Sequence, residues 1–238
     1  MHGSAKPDTA EIARFAGTTR AFHWAVAVPF LVLLATGLTL FVPSLKGINA
    51  GGYRLVPLVH VIAGLALLAL VPAVLLLSPG RRAALSDLRR SLTLEADDGA
   101  WLSWAARSAL GAAVREPSAG KYNAGQKLAS LFWWLITGGL SLTGAVLAIN
   151  FFSKRYLDPL FVERIYPWHS TLMWLSLPVL AGHLYFALVN PGTRPSLRGM
   201  ISGRVSAAWA YRHHRRWVEE AGTGAPPEPV SAARESSL

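Results

Sequence analysis

Residues 166–185 read YPWHSTLMWLSLPVLAGHLY, and the fold turns on how this stretch is read. It contains no Asp, Glu, Lys or Arg, yet it keeps His169 and His183, fourteen residues apart. An isolated polar group in hydrocarbon costs roughly several kcal/mol unless something satisfies it. Working outward, the stretch belongs to a charge-free run over 165–193, and three more such runs cover 21–45, 55–80 and 128–153. Each has at least 25 residues, and about 20 apolar residues cross a bilayer core as a helix. The 238-residue chain is 52% hydrophobic and 15% charged, against about a quarter charged in a soluble domain. Buried helices of a soluble core would normally alternate with a polar face. The expected fold is therefore an all-α membrane protein, a four-transmembrane-helix bundle.

Charge sets its orientation. Segment 1–20, loop 81–127 and tail 194–238 together hold 18 of the 23 basic residues, and loops 46–54 and 154–164 hold 5. By the positive-inside rule both termini and the long middle loop are cytoplasmic. The net charge of +10 then reflects topology and attraction to anionic lipid, and no nucleic-acid-reading module is present to use it. The organisation expected is a cytoplasmic segment 1–20, a membrane domain 21–193 interrupted by cytoplasmic loop 81–127, and a cytoplasmic tail 194–238. Residues 1–20 carry Lys6, Asp8, Glu11, Arg14 and Arg20 with no apolar core of a secretory signal, so span 1 is expected to stay in the mature protein. In the middle loop, Trp101, Leu102, Ala105 and Leu110 have the spacing of one face of a helix on the membrane surface. Beyond Trp217 the Pro-, Ala- and Ser-rich tail reads as extended or disordered. No internal repeat is evident. Pro29, Pro72 and Pro178 inside the spans read as mild kinks without chemistry.

The chain has no cysteine. That excludes disulfides, thiolate nucleophiles, covalent c-type haem and cysteine-held iron–sulfur clusters. Histidines are the remaining candidate ligands. On the expected topology His60 and His169 share the outer level, and His23 and His183 share the cytoplasmic level. Fourteen residues of helix return to within about 40° of one face and rise about 21 Å. Span 4 thus offers two ligands on one stripe, facing one each from spans 1 and 2. One membrane histidine alone serves equally well as an interhelical hydrogen-bonding group or as part of a proton relay. Four that pair by depth favour two bis-histidine sites. Two axial imidazoles suit a six-coordinate haem iron, whereas zinc asks for four ligands, or three and water. Gly64 and Gly182, near His60 and His183, offer room for a flat macrocycle. His2 reads as a terminal residue, and His213 and His214 as surface or interface residues outside the bilayer.

Just before span 3 stands GKYNAGQK, 120–127. The amides of Asn123 and Gln126 can hydrogen-bond a carbonyl, and Gly125 permits close backbone approach. The same residues make a capping box. A quinone site and a helix cap are compatible readings.

The motifs RAFHW (20–24), LVHVIAG around His60, GKYNAGQK (120–127), PWHS (167–170), GHLYFALVNP (182–191) and LRGMISGRVSAAWAYRHHRRW (197–217) resemble the cytochrome b (gamma) subunit of membrane-bound respiratory formate dehydrogenases. The likeness extends from Arg14 to Trp217. The four-histidine arrangement is shared more widely, with the cytochromes b of hydrogenase and thiosulfate reductase. The resemblance implies two haem b, one on His60 and His169 near the periplasm and one on His23 and His183 near the cytoplasm. It implies that Asn123, Gly125 and Gln126, with His183, line a menaquinone or ubiquinone site. It further implies an iron–sulfur beta subunit, a molybdenum- or tungsten-containing catalytic alpha subunit, a place in the bacterial inner membrane as a multi-pass protein, and a possible higher oligomer of the complex. The chain would be the quinone-reducing electron-transfer subunit of an oxidoreductase, with formate oxidation on its partner. The rival readings are the cytochrome b anchor subunit of a nickel-iron hydrogenase, and a haem-free membrane anchor or proton relay.

Overall fold

A computed structural model describes residues 10–41, 49–50, 53–153 and 156–222. Four helices are long and apolar enough to cross a membrane: α1 (Gly17–Phe41), α2 (Leu55–Leu77), α5 (Ala124–Phe152) and α6 (Pro159–Leu184), the last extended by a π-helical turn over Tyr185–Val189. Between α2 and α5 lie two short helices, α3 (Arg81–Leu92) and α4 (Asp98–Ala109). After α6 come α7 (Ser196–Ser202), α8 (Ala207–His213) and α9 (Arg215–Glu220). The spans overlap the charge-free runs, α2 beginning where its run does and α1, α5 and α6 beginning earlier. Glycine and threonine residues 17–19 continue α1 towards the N-terminus, and Asp158 caps α6 by accepting from the Phe161 N–H at 3.0 Å, with Pro159 in the first turn.

The bundle is two helical hairpins. Helix α1 packs along α2, α5 packs along α6, and α2 meets α5. Aromatic pairs also join α1 to α5, with Phe22 stacked on Trp134 and Phe30 edge-on to Trp133. The outward faces are apolar. Leu135 and Leu142 are 67% and 74% exposed, whereas Ser176 is fully buried with its hydroxyl donating to the Met173 carbonyl. That inside-out pattern is what helices solvated by hydrocarbon require.

At the end of the bundle where α1 begins, the two chain ends form a small polar collar. Strand β1 (Glu11–Ala13) pairs antiparallel with β4 (Arg204–Ser206), Ile12 opposite Val205. Ile12, Val205, Trp209, Ala210, Trp217 and Val218 make one buried cluster there. The tail therefore stays ordered past Trp217, as far as α9 extends, because Trp217 and Val218 are core residues. Residues 223–238, like His2, lie outside the described residues. A second ladder, β2 (Asn49–Ala50) with β3 (Tyr53–Arg54), precedes α2.

The middle loop carries α3 and α4 on this same collar. On α4, Trp101, Trp104 and Ala105 are half-buried, while Leu102, and Leu110 just past the helix end, are exposed. Trp104 Nε1 donates to the Val114 carbonyl at 3.0 Å. The acidic stretch Glu95–Asp98 is engaged by cations: Lys127 Nζ lies 2.9 Å from Asp98 and 3.3 Å from Glu95, and Arg216 lies 2.6 Å from Asp97.

Candidate functional site

Three helices bring the four membrane histidines together in two pairs. His60 on α2 faces His169 on α6 with ring centres 6.2 Å apart, and His23 on α1 faces His183 on α6 at 6.3 Å. Helix α6 contributes to both pairs, so the pairs are about 21 Å apart along it.

The His60/His169 pair is held from behind. The Thr36 hydroxyl on α1 lies 2.9 Å from His60 Nδ1, and the Thr143 hydroxyl on α5 lies 2.8 Å from His169 Nδ1. Each threonine also donates to a carbonyl one turn back in its own helix, Thr36 to Val32 and Thr143 to Gly139, both at 2.7 Å. Each is followed by a glycine. A Cβ on Gly37 would come 3.4 Å from His60 Cε1, and one on Gly144 would come 3.3 Å from His169 Cε1. The imidazoles pack against these two glycines, while a Cβ on Gly64 would meet only Leu33 and one on Gly182 would meet nothing within 4 Å. No repeat is evident in the sequence, yet the two hairpins share a device, Thr-Gly on the first helix and histidine on the second. The separations in sequence, 24 and 26 residues, were the available signal. Around the second pair, His23 stacks edge-on to Trp24, whose Nε1 donates to the Met200 carbonyl at 3.2 Å.

Asn123, Gly125 and Gln126 form the start of α5. The Asn123 side chain accepts from the Gln126 N–H at 2.9 Å and the Gln126 side chain accepts from the Asn123 N–H at 3.0 Å, a complete capping box. Gly125 lies under Trp101 of α4, whose ring would be 3.0 Å from a Cβ there. Among the described residues neither amide hydrogen-bonds His183.

His214 is not a surface residue. It is 2% exposed, sits between Trp209 and Trp217, and bridges the collar. Arg14 Nη2 donates to its Nε2 at 2.9 Å, and its Nδ1 donates to the Gly120 carbonyl at 2.8 Å. Burial first, then the Arg14 charge, hold its pKa down to about 3, so it is neutral at physiological pH. Burial likewise lowers Arg14 to about 10. The guanidinium carbon lies 5.1–5.6 Å from the ring centres of Phe15, Trp209 and Trp217, an aromatic enclosure that accounts for its Nε and Nη1 having no hydrogen-bond partner among the described residues. Beside it, Asp87 accepts from Thr19 Oγ1 at 2.8 Å and pairs with Lys121. Burial lowers the Lys121 pKa more than that ion pair raises it, and burial raises Tyr122. His213 stays partly exposed, 3.5 Å from Glu116.

Four helices long and apolar enough to cross a membrane, with imidazoles facing one another in two pairs, define the class as a transmembrane helical protein. The chain belongs to the prokaryotic cytochrome b561 family, whose model matches residues 14–203. It is thus an integral membrane electron-transport protein, and membership implies haem b. Among curated relatives, the cytochrome b556 subunit of the nitrate-inducible formate dehydrogenase of Escherichia coli is 27% identical over 205 residues, covering 84% of this chain and 87% of the relative. The formate dehydrogenase cytochrome b556 subunit of Haemophilus influenzae is 26% identical over 214 residues, covering 88% and 83%.

The residues fit the group. With metal–imidazole bonds of about 2.0–2.1 Å and each ring nitrogen about 1.1 Å from its ring centre, two opposed axial imidazoles have centres about 6.3 Å apart. The observed 6.2 and 6.3 Å match that geometry. Among the described residues no group of three or more His, Cys, Asp or Glu that could hold a metal ion is assembled, and a tetrahedral site would ask for such a group.

Proposed function

We propose that this chain is the quinone-reducing cytochrome b (gamma) subunit of a formate dehydrogenase in the bacterial inner membrane. The observation that carries it is the pairing of four histidines at separations that suit one iron per pair. His60 and His169 hold the outer haem, and His23 and His183 hold the inner one. The 18-to-5 division of basic residues supports termini and middle loop in the cytoplasm. Bound haem b supplies a reversible one-electron couple at each level. The chain's own residues fix the ligand rings, keep water from them with apolar helices, and set the two levels about 21 Å apart.

Electrons enter at the His60/His169 end from an iron–sulfur beta subunit, which supplies the cysteines this chain lacks. Formate oxidation belongs to a molybdenum- or tungsten-containing alpha subunit. Menaquinone or ubiquinone is reduced at the His23/His183 end. The capping box occupies the carbonyl oxygens of Asn123 and Gln126 and leaves their NH₂ groups free to donate to a quinone carbonyl. Such a site takes its protons from the cytoplasm. Carrying one charge across conserves about 2.3 kcal/mol per 100 mV.

The test is a reduced-minus-oxidised spectrum with haemochrome quantification on wild type and His60→Ala. Two b haems per chain falling to one supports the reading, as does formate-dependent reduction once the partner subunits are present. A folded, haem-supplied preparation without haem would leave a membrane anchor or proton relay. A nickel-iron hydrogenase as the co-purifying partner would overturn the formate assignment.

A further inference from the structure

We propose that Thr36 and Thr143 are positioning residues that fix the tautomer of the His60 and His169 ligands and hold the outer haem at a lower potential than it would otherwise have. The inference rests on the assignment of His60 and His169 as ligands. A threonine hydroxyl has one proton to give. That of Thr36 is committed to the Val32 carbonyl and that of Thr143 to the Gly139 carbonyl, both at 2.7 Å. With the proton so placed, each hydroxyl accepts from the histidine ring, at 2.9 and 2.8 Å. Nδ1 of each ring must carry the proton, and Nε2 is left as the free lone pair that a metal needs.

The consequence is electronic as well as geometric. An imidazole whose N–H is hydrogen-bonded is a more basic ligand, and a more basic ligand favours the ferric state over the ferrous. Donation of each threonine proton to a helix carbonyl polarises the hydroxyl and strengthens its acceptor character. A Cβ at Gly144 would crowd the His169 ring at 3.3 Å, whereas one at Gly37 would touch His60 at an ordinary 3.4 Å. Among the described residues, neither His23 nor His183 has a hydrogen-bond partner on its ring, so the inner pair is an internal control. A lowered outer potential also makes inward transfer more favourable than it would otherwise be.

The experiment is a potentiometric titration of the full chain bearing haem, comparing Thr36→Val and Thr143→Val with Thr36→Ser and Thr143→Ser. Valine keeps the shape and removes the acceptor; serine keeps the hydroxyl. With both haems retained, each valine variant is expected to raise the outer potential by up to about 59 mV, a tenfold change in the oxidised-to-reduced ratio of a one-electron couple. The inner potential should stay fixed, and the serine variants should match wild type. Valine variants with two haems and unmoved potentials would overturn the proposal while leaving the ligand assignment intact. If valine expels the outer haem, serine decides: retention at the wild-type potential supports the hydroxyl's role, and loss refutes it. Two haems persisting in His60→Ala would instead sink the ligand assignment itself.

Discussion

The bundle and the collar are built on opposite plans. Inside the bundle, polar side chains are few, and Thr36, Thr143 and Ser176 meet a near neighbour along their own helix or a histidine across from it. In the collar, buried polar groups are dense and their partners are remote in sequence. Arg14 reaches His214, Asp87 takes bonds from Thr19 and Lys121, and Lys127 pairs with Asp98. Hydrocarbon punishes an unmet polar group and rewards no hydrophobic contact over another. At the membrane surface, water makes burial of Trp209 and Trp217 favourable, and buried charges are tolerated there only as paired sets.

That contrast can be broken at several points. Lys127→Ala leaves the buried Asp98 carboxylate uncompensated and is expected to lose about 3–5 kcal/mol. Thermal unfolding in detergent should show the loss, and Asp98→Asn in the same chain should recover part of it. The second effect is acid lability of the collar. His214 has a folded pKa of about 3 against about 6.5 unfolded, so below pH 6.5 the unfolded chain binds the extra proton. The stabilisation is complete above about pH 6.5 and is lost as pH falls towards 3, by up to a few kcal/mol. Hydrogen exchange at β1 and β4 should accelerate over that window ahead of the span amides. His214→Gln should be less stable at neutral pH and should lose the pH dependence. A smaller effect belongs to the bundle: Gly139→Ala puts a methyl 2.9 Å from Leu172 Cδ1, an overpacking worth about 1–2 kcal/mol. Smallest is Arg198→Ala, which removes an exposed pair with Glu11 and should stay within about 0.5 kcal/mol. An Arg198→Ala loss as large as that of Lys127→Ala would undo the distinction between buried and exposed charge.

Legibility divides along the same line. A span announces itself by run length, so all four were readable, and regular helical rise showed which rings would face one another, His60 with His169 and His23 with His183. The collar was not. His214 stands in a run of charge, RHHRR, that looks solvated. Yet the chain leaves helical geometry at His214 itself, with φ −139° and ψ 43°, and this bend between α8 and α9 turns the ring inward. Local composition could not reveal a partner 200 positions away. The threonines were missed for another reason. Threonine and glycine are ordinary residues in membrane helices, and only their register against His60 and His169 gives them meaning.

The β1–β4 ladder also sets a schedule for biogenesis. Ile12 leaves the ribosome 193 residues before its partner Val205. At about 5–20 residues per second, the first strand waits about ten to forty seconds. Every span has by then been made. Closure of the ladder is therefore a late event that requires both hairpins to have entered the membrane with their ends on one side. A chain with one hairpin inverted would leave Ile12 and Val205 on opposite faces of the bilayer, its collar open and recognisable to quality-control proteases.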